Sequence, residues 1–158
     1  MKKDTLHIGV ISDTHNLLRP EAKVALAGSD HIIHAGDICG PQVLEELGRI
    51  APVTAVRGNN DRGAWANELR ERETIVIGGV MLHVVHDMSD LDVDARAAGI
   101  GVVITGHSHK PSIKMESGVL YLNPGSAGPR RFKLPISLAL LEIRDGQRTA
   151  RIQTLEVD

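Results

Sequence analysis

Apolar runs of strand length alternate with helix-like stretches through the first two thirds of the chain. Leu6 to Ser12 reads as a strand, Pro20 to Gly28 as a helix with proline near its start and glycine at its end, and His31 to Ala35 as a second strand. Gln42 to Gly48 predicts a short helix, Pro52 to Arg57 a third strand, and Asp90 to Ala98 a helix stopped by Gly99. Parallel strands need such crossovers, so the alternation predicts a largely parallel, buried sheet. Later the period changes. Thr74 to Ile77 and Val80 to Val85 flank Gly78-Gly79, a two-residue hairpin signal. Ile113 to Met115 and Val119 to Leu122 flank Glu116-Ser117-Gly118 in the same way, and Ile136 to Ile143 and Arg148 to Val157 surround Asp145-Gly146. Parallel units joined to antiparallel hairpins predict an α/β fold of two mixed sheets packed face to face with helices outside, a four-layer α/β/β/α sandwich.

Length and composition narrow this only a little. A chain of 158 residues fits one domain, 1–158, with a single buried core. Aromatic residues make up 2%, so the core must be built from Val, Ile, Leu and Ala. The formal net charge of −2 gives no general attraction to nucleic acid or anionic membranes, and no extended nucleic-acid surface is expected. Any phosphate binding must then be local. Cys39 is the only cysteine, which excludes an intrachain disulfide and allows a reducing compartment. The first apolar run is too short to span a bilayer and leads straight into Asp13 and His15, which a cleaved signal peptide would carry away. A cytoplasmic protein without membrane association is expected; a homo-oligomer is compatible with this composition.

The chemistry sits where strand-like runs stop. The segments are Ile11-Ser12-Asp13-Thr14-His15, His34-Ala35-Gly36-Asp37, Arg57-Gly58-Asn59-Asn60-Asp61, Val85-His86-Asp87 and Thr105-Gly106-His107-Ser108-His109. Carboxylate, imidazole and amide are present without thiolate, which favours a hydrolytic dinuclear site over a structural zinc site. If strand geometry persists there, Asp13 with His15, and His107 with His109, each send two side chains to one side. Carboxyl ends of sheet strands are where open α/β sheets form their ligand crevice. Gly36, Gly58 and Gly106 each precede a candidate ligand, as a tight bend with close backbone approach requires.

These five ordered segments resemble the motif set of the calcineurin-like metallophosphoesterases, most closely the small prokaryotic YfcE-like phosphodiesterase branch. The resemblance runs from Ile8 to about Arg131 and includes Asn123-Pro124-Gly125-Ser126. It implies the four-layer fold inferred above. It also implies two divalent metal ions, one on Asp13, His15 and His109, the other on Asn59, His86 and His107, with Asp37 as the bridge. Asp37, Asn59, His86 and His107 are thereby expected to take part in catalysis, in which a hydroxide between the ions attacks a phosphate ester. The pair stays net positive against Asp13, Asp37 and that hydroxide, which suits a small phosphate-ester substrate. The N/O ligand set fits Mn²⁺, Ni²⁺, Fe or Zn²⁺, with Mn²⁺ the expected activator in vitro. The family also contains an interaction scaffold with little catalysis, a subunit of eukaryotic retromer, so a scaffold or a metal-bound regulatory protein of the same fold is the alternative.

Two positions depart from the family pattern. Asn60 follows the ligand Asn59 where many members have a histidine able to protonate the leaving group; an amide has no acidic proton to give. Asp87 follows His86 where glycine is usual, and aspartate is among the few residues that tolerate a positive φ there. Asn60, Asp61, Asp87, His34 and Arg130 are candidates to support the ligands or touch substrate. His7, His31 and His83 are read as structural, Trp65 and Tyr121 as packing residues, and Cys39 as a small buried hydrophobe. Asp90-x-Asp92-x-Asp94 lacks the glycine and glutamate of a calcium loop and is read as the acidic start of a helix.

Overall fold

The computed structural model describes residues 4–157; residues 1–3 and 158 of the expected domain lie outside the described residues. The first sheet contains β1 (Thr5–Ile11), β2 (His31–His34), β3 (Val53–Ala55), β9 (Ser137–Arg144) and β10 (Gln147–Thr154), in the order β10-β9-β1-β2-β3. The second contains β4 (Arg72–Ile77), β5 (Val80–Val85), β6 (Val102–Ile104), β7 (Ser112–Glu116) and β8 (Val119–Asn123), in the order β4-β5-β6-β8-β7. Both sheets are mixed. β1, β2 and β3 are parallel, as are β5, β6 and β8, and the outer strands pair antiparallel.

Side-chain alternation explains the layering. Ile8 and Val10 of β1 face inward with Ile33, Leu141 and Ile143, and meet Leu82, Val84, Val102, Ile104, Leu120 and Leu122 from the second sheet. Ile11, Ile32 and Leu138 face outward and are covered by helices α1 (Pro20–Leu26), α2 (Pro41–Gly48) and the single turn α3 (Ala64–Asn67). Both helices longer than a turn begin with proline, whose fixed φ suits the first helical position. Three hairpins close on two residues of positive φ: Gly78 and Gly79, Ser117 and Gly118, Asp145 and Gly146. That is the twist-matched turn the sequence signals required. Among the described residues no helix is long and apolar enough to cross a membrane.

The expected helix over Asp90 to Ala98 does not form. A 3₁₀ turn occupies Met88–Asp90, and a single helical turn is closed by the Ala98 amide donating to the Asp94 carbonyl at 2.9 Å. Arg72 on β4 explains the difference. Its Nη2 donates to the Asp90 carbonyl at 2.7 Å and its Nε lies 3.4 Å from Asp92, so the start of the acidic run is tied to the edge strand. The outer face of the second sheet is therefore covered by this irregular segment, through Leu91, Ala95 and Ile100 over Val103, Val119 and Tyr121.

Candidate metal centre

The five segments follow the carboxyl ends of β1, β2, β3, β5 and β6 and meet at one rim of the sandwich. Strand alternation is not what aims the ligands, contrary to the expectation for Asp13 with His15 and His107 with His109. The strands end at Ile11 and Ile104, and Asp13, His15, Asp37, His107 and His109 all have φ between 46° and 70°. Backbone bonds hold the first two loops in that conformation: the amides of Asp13, His15 and Asn16 donate to the carbonyls of Gly36, Asp37 and Ile38. A Cβ on Gly58 would strike the Asp37 carboxylate and amide, and one on Gly106 would strike the Ser12 hydroxyl and Asp13 Oδ2, so both glycines are required by close approach.

The hydrogen bonds point one free atom of each central ligand inward. Asp13 Oδ2 accepts from Ser12 Oγ at 2.7 Å and from the His107 amide at 3.0 Å, while the buried Oδ1 has no partner. His86 Nδ1 donates to the Ala35 carbonyl at 2.7 Å, leaving buried Nε2 without one. His15 Nε2 is also unpartnered. Asp13 Oδ1 lies 3.5 Å from His109 Nε2, 3.8 Å from His86 Nε2 and 3.9 Å from His15 Nε2. Asp37 Oδ2 lies 3.4 Å from His86 Nε2 and 3.7 Å from His15 Nε2. Two groups of ligand atoms each converge within 4.8 Å: Asp13 with His15 and His109, and Asp13 with Asp37 and His86. Buried oxygen and nitrogen atoms left unpaired at such a convergence fit cations.

Titration directions agree. Burial, reinforced by the neighbouring Asp37 charge, holds the Asp13 carboxyl above its ordinary value. Burial pushes Asp37 the same way, but the His86 imidazole and the Asn60 amides outweigh it and hold Asp37 far below the carboxylate range. His86, despite its burial, is raised to about 8 by Asp37 and Asp13. Without metal the cluster therefore keeps a proton on His86 where a cation would compete for the same lone pair.

The remaining predicted residues take distinct places. Asn59 is exposed and lines a cavity of about 460 Å³ with His86, Asp87 and His107, on the second-sheet side of the cluster. His107 Nε2 lies 3.4 Å from Asp87 Oδ2, and its ring stands edge-on to His86 with centroids 5.2 Å apart. His107 does not belong to the two converging groups. Asp87 is extended, with φ −114°, so no left-handed residue is needed there; its Oδ1 accepts from the Ser89 amide at 3.0 Å. Asn60 does not reach toward the cavity: its amide and Nδ2 both donate to Asp37 at 2.9 Å. Asp61 accepts from the amides of Asp37, Cys39 and Gly58 and staples those loops together. His34 accepts from the Gly36 amide on Nδ1 and donates from Nε2 to Thr14 Oγ1, so it ties loops together behind the ligands. Arg130 is exposed, with Nη1 3.5 Å from the Leu134 carbonyl; Arg131 is the one whose charge helps burial lower His109 to about 4.

Of the histidines expected to be structural, His83 bonds Thr74 and His31 bonds Thr54, while His7 lies exposed beside Glu142. Trp65 and Tyr121 are partly buried against the apolar clusters. Cys39 is half-buried with its Sγ against His15, where a buried hydrophobe was expected. Ser12, Asn123 and Ser126 were not singled out as supports. Asn123 Nδ2 donates to the Gly106 carbonyl and Ser126 Oγ to the Asp13 carbonyl, and both stand in the Asn-Pro-Gly-Ser segment that should have signalled them.

Comparison with known proteins gives this geometry a lineage. The calcineurin-like phosphoesterase superfamily domain matches residues 6–146, and the chain belongs to that superfamily. It is 38% identical over 152 residues to a probable metallophosphoesterase of Methanothermobacter thermautotrophicus, covering 89% of this chain and 87% of that protein. It is 28% identical over 138 residues to a phosphodiesterase of Methanocaldococcus jannaschii, covering 76% of this chain and 83% of that one. Vacuolar Protein Sorting 29 of Cryptosporidium parvum shares the fold, with a TM-score of 0.78, 20% identity, and 98% and 100% of the two chains covered.

Proposed function

We propose that the protein is a dinuclear, divalent-metal-dependent phosphodiesterase that hydrolyses a small phosphate ester or nucleotide. The observation that carries this reading is the set of buried, unpartnered atoms Asp13 Oδ1, His15 Nε2 and His86 Nε2, converging beside Asp37 and His109. Asp13, His15 and His109 would hold one cation and His86 the other, with Asn59 and His107 reaching it from the cavity wall and Asp37 between the two. Divalent cations supply Lewis acidity to phosphoryl oxygens and acidify water enough to provide a nucleophile near neutral pH. Mn²⁺ is the expected activator in vitro, with Ni²⁺, Fe and Zn²⁺ as competitors for the same N/O set.

The chain's own residues set the rest. The cavity beside His86 and His107 takes the ester substituent; Arg57 and Arg72 stand on its wall, paired with Glu71 and with Asp90 and Asp92 respectively. Asn60 is committed to Asp37 and gives no proton to a departing alcohol, which favours substrates with good leaving groups. The kinship with a named phosphodiesterase supports diester over monoester hydrolysis. A pure interaction role leaves the buried unpaired atoms without a purpose, although the shared Vacuolar Protein Sorting 29 fold is equally consistent with one. The test is to strip the protein with chelator, add back each metal, and assay chromogenic diesters and monoesters. Recovery of diesterase activity near two metal equivalents per chain is expected; full activity in excess chelator, or no hydrolysis with any metal, refutes it.

A further inference from the structure

A histidine that ligates a metal commonly has its far ring nitrogen fixed by a hydrogen bond, which sets which nitrogen carries the lone pair; in this cluster His86 and His15 have such a partner and His109 Nδ1 has none. For His86 the fixing partner is the Ala35 carbonyl. For His15 it is sulfur: Cys39 Sγ lies 3.6 Å from His15 Nδ1 and 3.8 Å from the Asn60 carbonyl. A carbonyl can only accept, so the thiol proton goes to Asn60, and the sulfur is left to accept from His15 Nδ1–H. That polarity frees the unpartnered His15 Nε2 as a lone pair beside Asp13 and Asp37. The backbone that carries the sulfur is held in place: the Cys39 amide donates to Asp61 Oδ1 at 2.8 Å, and Cys39 has a φ of 66°. One residue thus couples the loops carrying His15, Asp37 and Asn59.

We infer that Cys39 is a positioning residue for the cation site of Asp13, His15 and His109, relaying a hydrogen bond from His15 Nδ1–H through its thiol to the Asn60 carbonyl. The inference rests on the two-cation reading above but not on any substrate. Loss of such a partner typically weakens metal binding about 10- to 100-fold. Cys39→Ala removes the relay and Cys39→Ser restores an acceptor and donor, while both keep a side chain at the same left-handed backbone position.

Two measurements test this without catalysis: ¹⁵N NMR of His15 in the stripped protein, and Zn²⁺ titration by calorimetry with thermal unfolding as the folding control. In wild type His15 should carry its proton on Nδ1. In Cys39→Ala the proton should move toward Nε2, and one of two Zn²⁺ sites should weaken at least about 10-fold. Cys39→Ser should recover most of both. Unchanged tautomer and affinity in Cys39→Ala overturn the inference; so does equal weakening of both sites, or an equal loss in the serine variant, which would mean that sulfur only fills space. If phosphodiesterase activity is absent while these results hold, the proposed reaction fails and the positioning role stands.

Discussion

Acid should unfold the metal-free protein along a slope set in part by His34. This residue is fully buried, and burial first, then the neighbouring His86 charge, lowers it from 6.5 to about 3. In the folded chain it is neutral, accepting from the Gly36 amide and donating to Thr14 Oγ1. The unfolded chain binds the proton first, so His34 contributes stability that is complete above pH 6.5 and lost as the pH falls toward 3. At about 1.4 kcal/mol per pH step, going from pH 7.5 to 5 costs about 2 kcal/mol from this side chain alone. Both pH values lie well above the folded titration, so its exact position hardly enters. Domains of this kind have about 5–15 kcal/mol in total, so the loss is large. His34→Gln keeps a donor for Thr14 and cannot be protonated, but it strands the Gly36 amide at a cost of about 1–3 kcal/mol. Urea unfolding of chelator-stripped wild type and variant at pH 7.5, 6.5, 5.5 and 5 isolates the effect, because the other titrating groups cancel in the difference. The variant should start less stable and lose about 2 kcal/mol less on acidification. Parallel stability curves would show that His34 is not the buried neutral tie described here.

Asp37→Ala should lower diesterase activity by several orders of magnitude and reduce bound metal, measured on the folded variant by elemental analysis; full turnover would sink the two-cation mechanism. Because Asn60 gives no proton, aryl esters should be cleaved much faster than alkyl esters, and a flat dependence on leaving-group pKa with chemistry rate-limiting would mean that another group protonates the alcohol. Asp87→Gly removes the carboxylate facing His107 and the bond to the Ser89 amide; metal retention should weaken while KM at saturating metal stays level or falls, and no change in either makes Asp87 only a turn residue. Zn²⁺ at about 100 times its dissociation constant should add about 2.7 kcal/mol per site to unfolding free energy, and a melting temperature indifferent to metal would argue against a built site.

Much of the fold was legible because burial in a sheet leaves a simple trace. Ile8, Val10, Leu82, Val84 and Val102 to Ile104 form apolar runs, and the Gly-Gly, Ser-Gly and Asp-Gly pairs demand the turns that close the hairpins. The ligand segments were legible because their residue types and order are specific. What failed were readings that depend on a partner distant in sequence. Asp90 to Ala98 has helical composition, but Arg72, 18 residues before Asp90, ties the start of that run to the edge strand. Strand alternation paired Asp13 with His15 correctly but for the wrong reason, since inter-loop backbone bonds hold the left-handed φ of the first loop, and it did not separate His109, which joins Asp13 and His15, from His107, which stands beside Asp87. Cys39 could not be assigned from one residue without a partner in view, and spacing alone does not show that the charge felt at His109 is that of Arg131.

The strain in these loops gives the synthesis its physical direction. Non-glycine residues in the left-handed region cost about 1 kcal/mol or more each, and Asp13, His15, Asn16, Asp37, Cys39, His107 and His109 all occupy it at one rim. A fold does not concentrate that cost for stability, and here Asp61 alone uses three backbone hydrogen bonds to hold the conformation. The same rim buries Asp13 against Asp37 and leaves ligand atoms without partners. The backbone cost fixes the geometry, and the electrostatic cost, Asp13 buried against Asp37 with Asp13 Oδ1 and His15 Nε2 unpartnered, is what a cation at that point would relieve. The rigid sheets, with cores of aliphatic side chains on both faces of the first sheet, supply the stability against which that preorganisation is held.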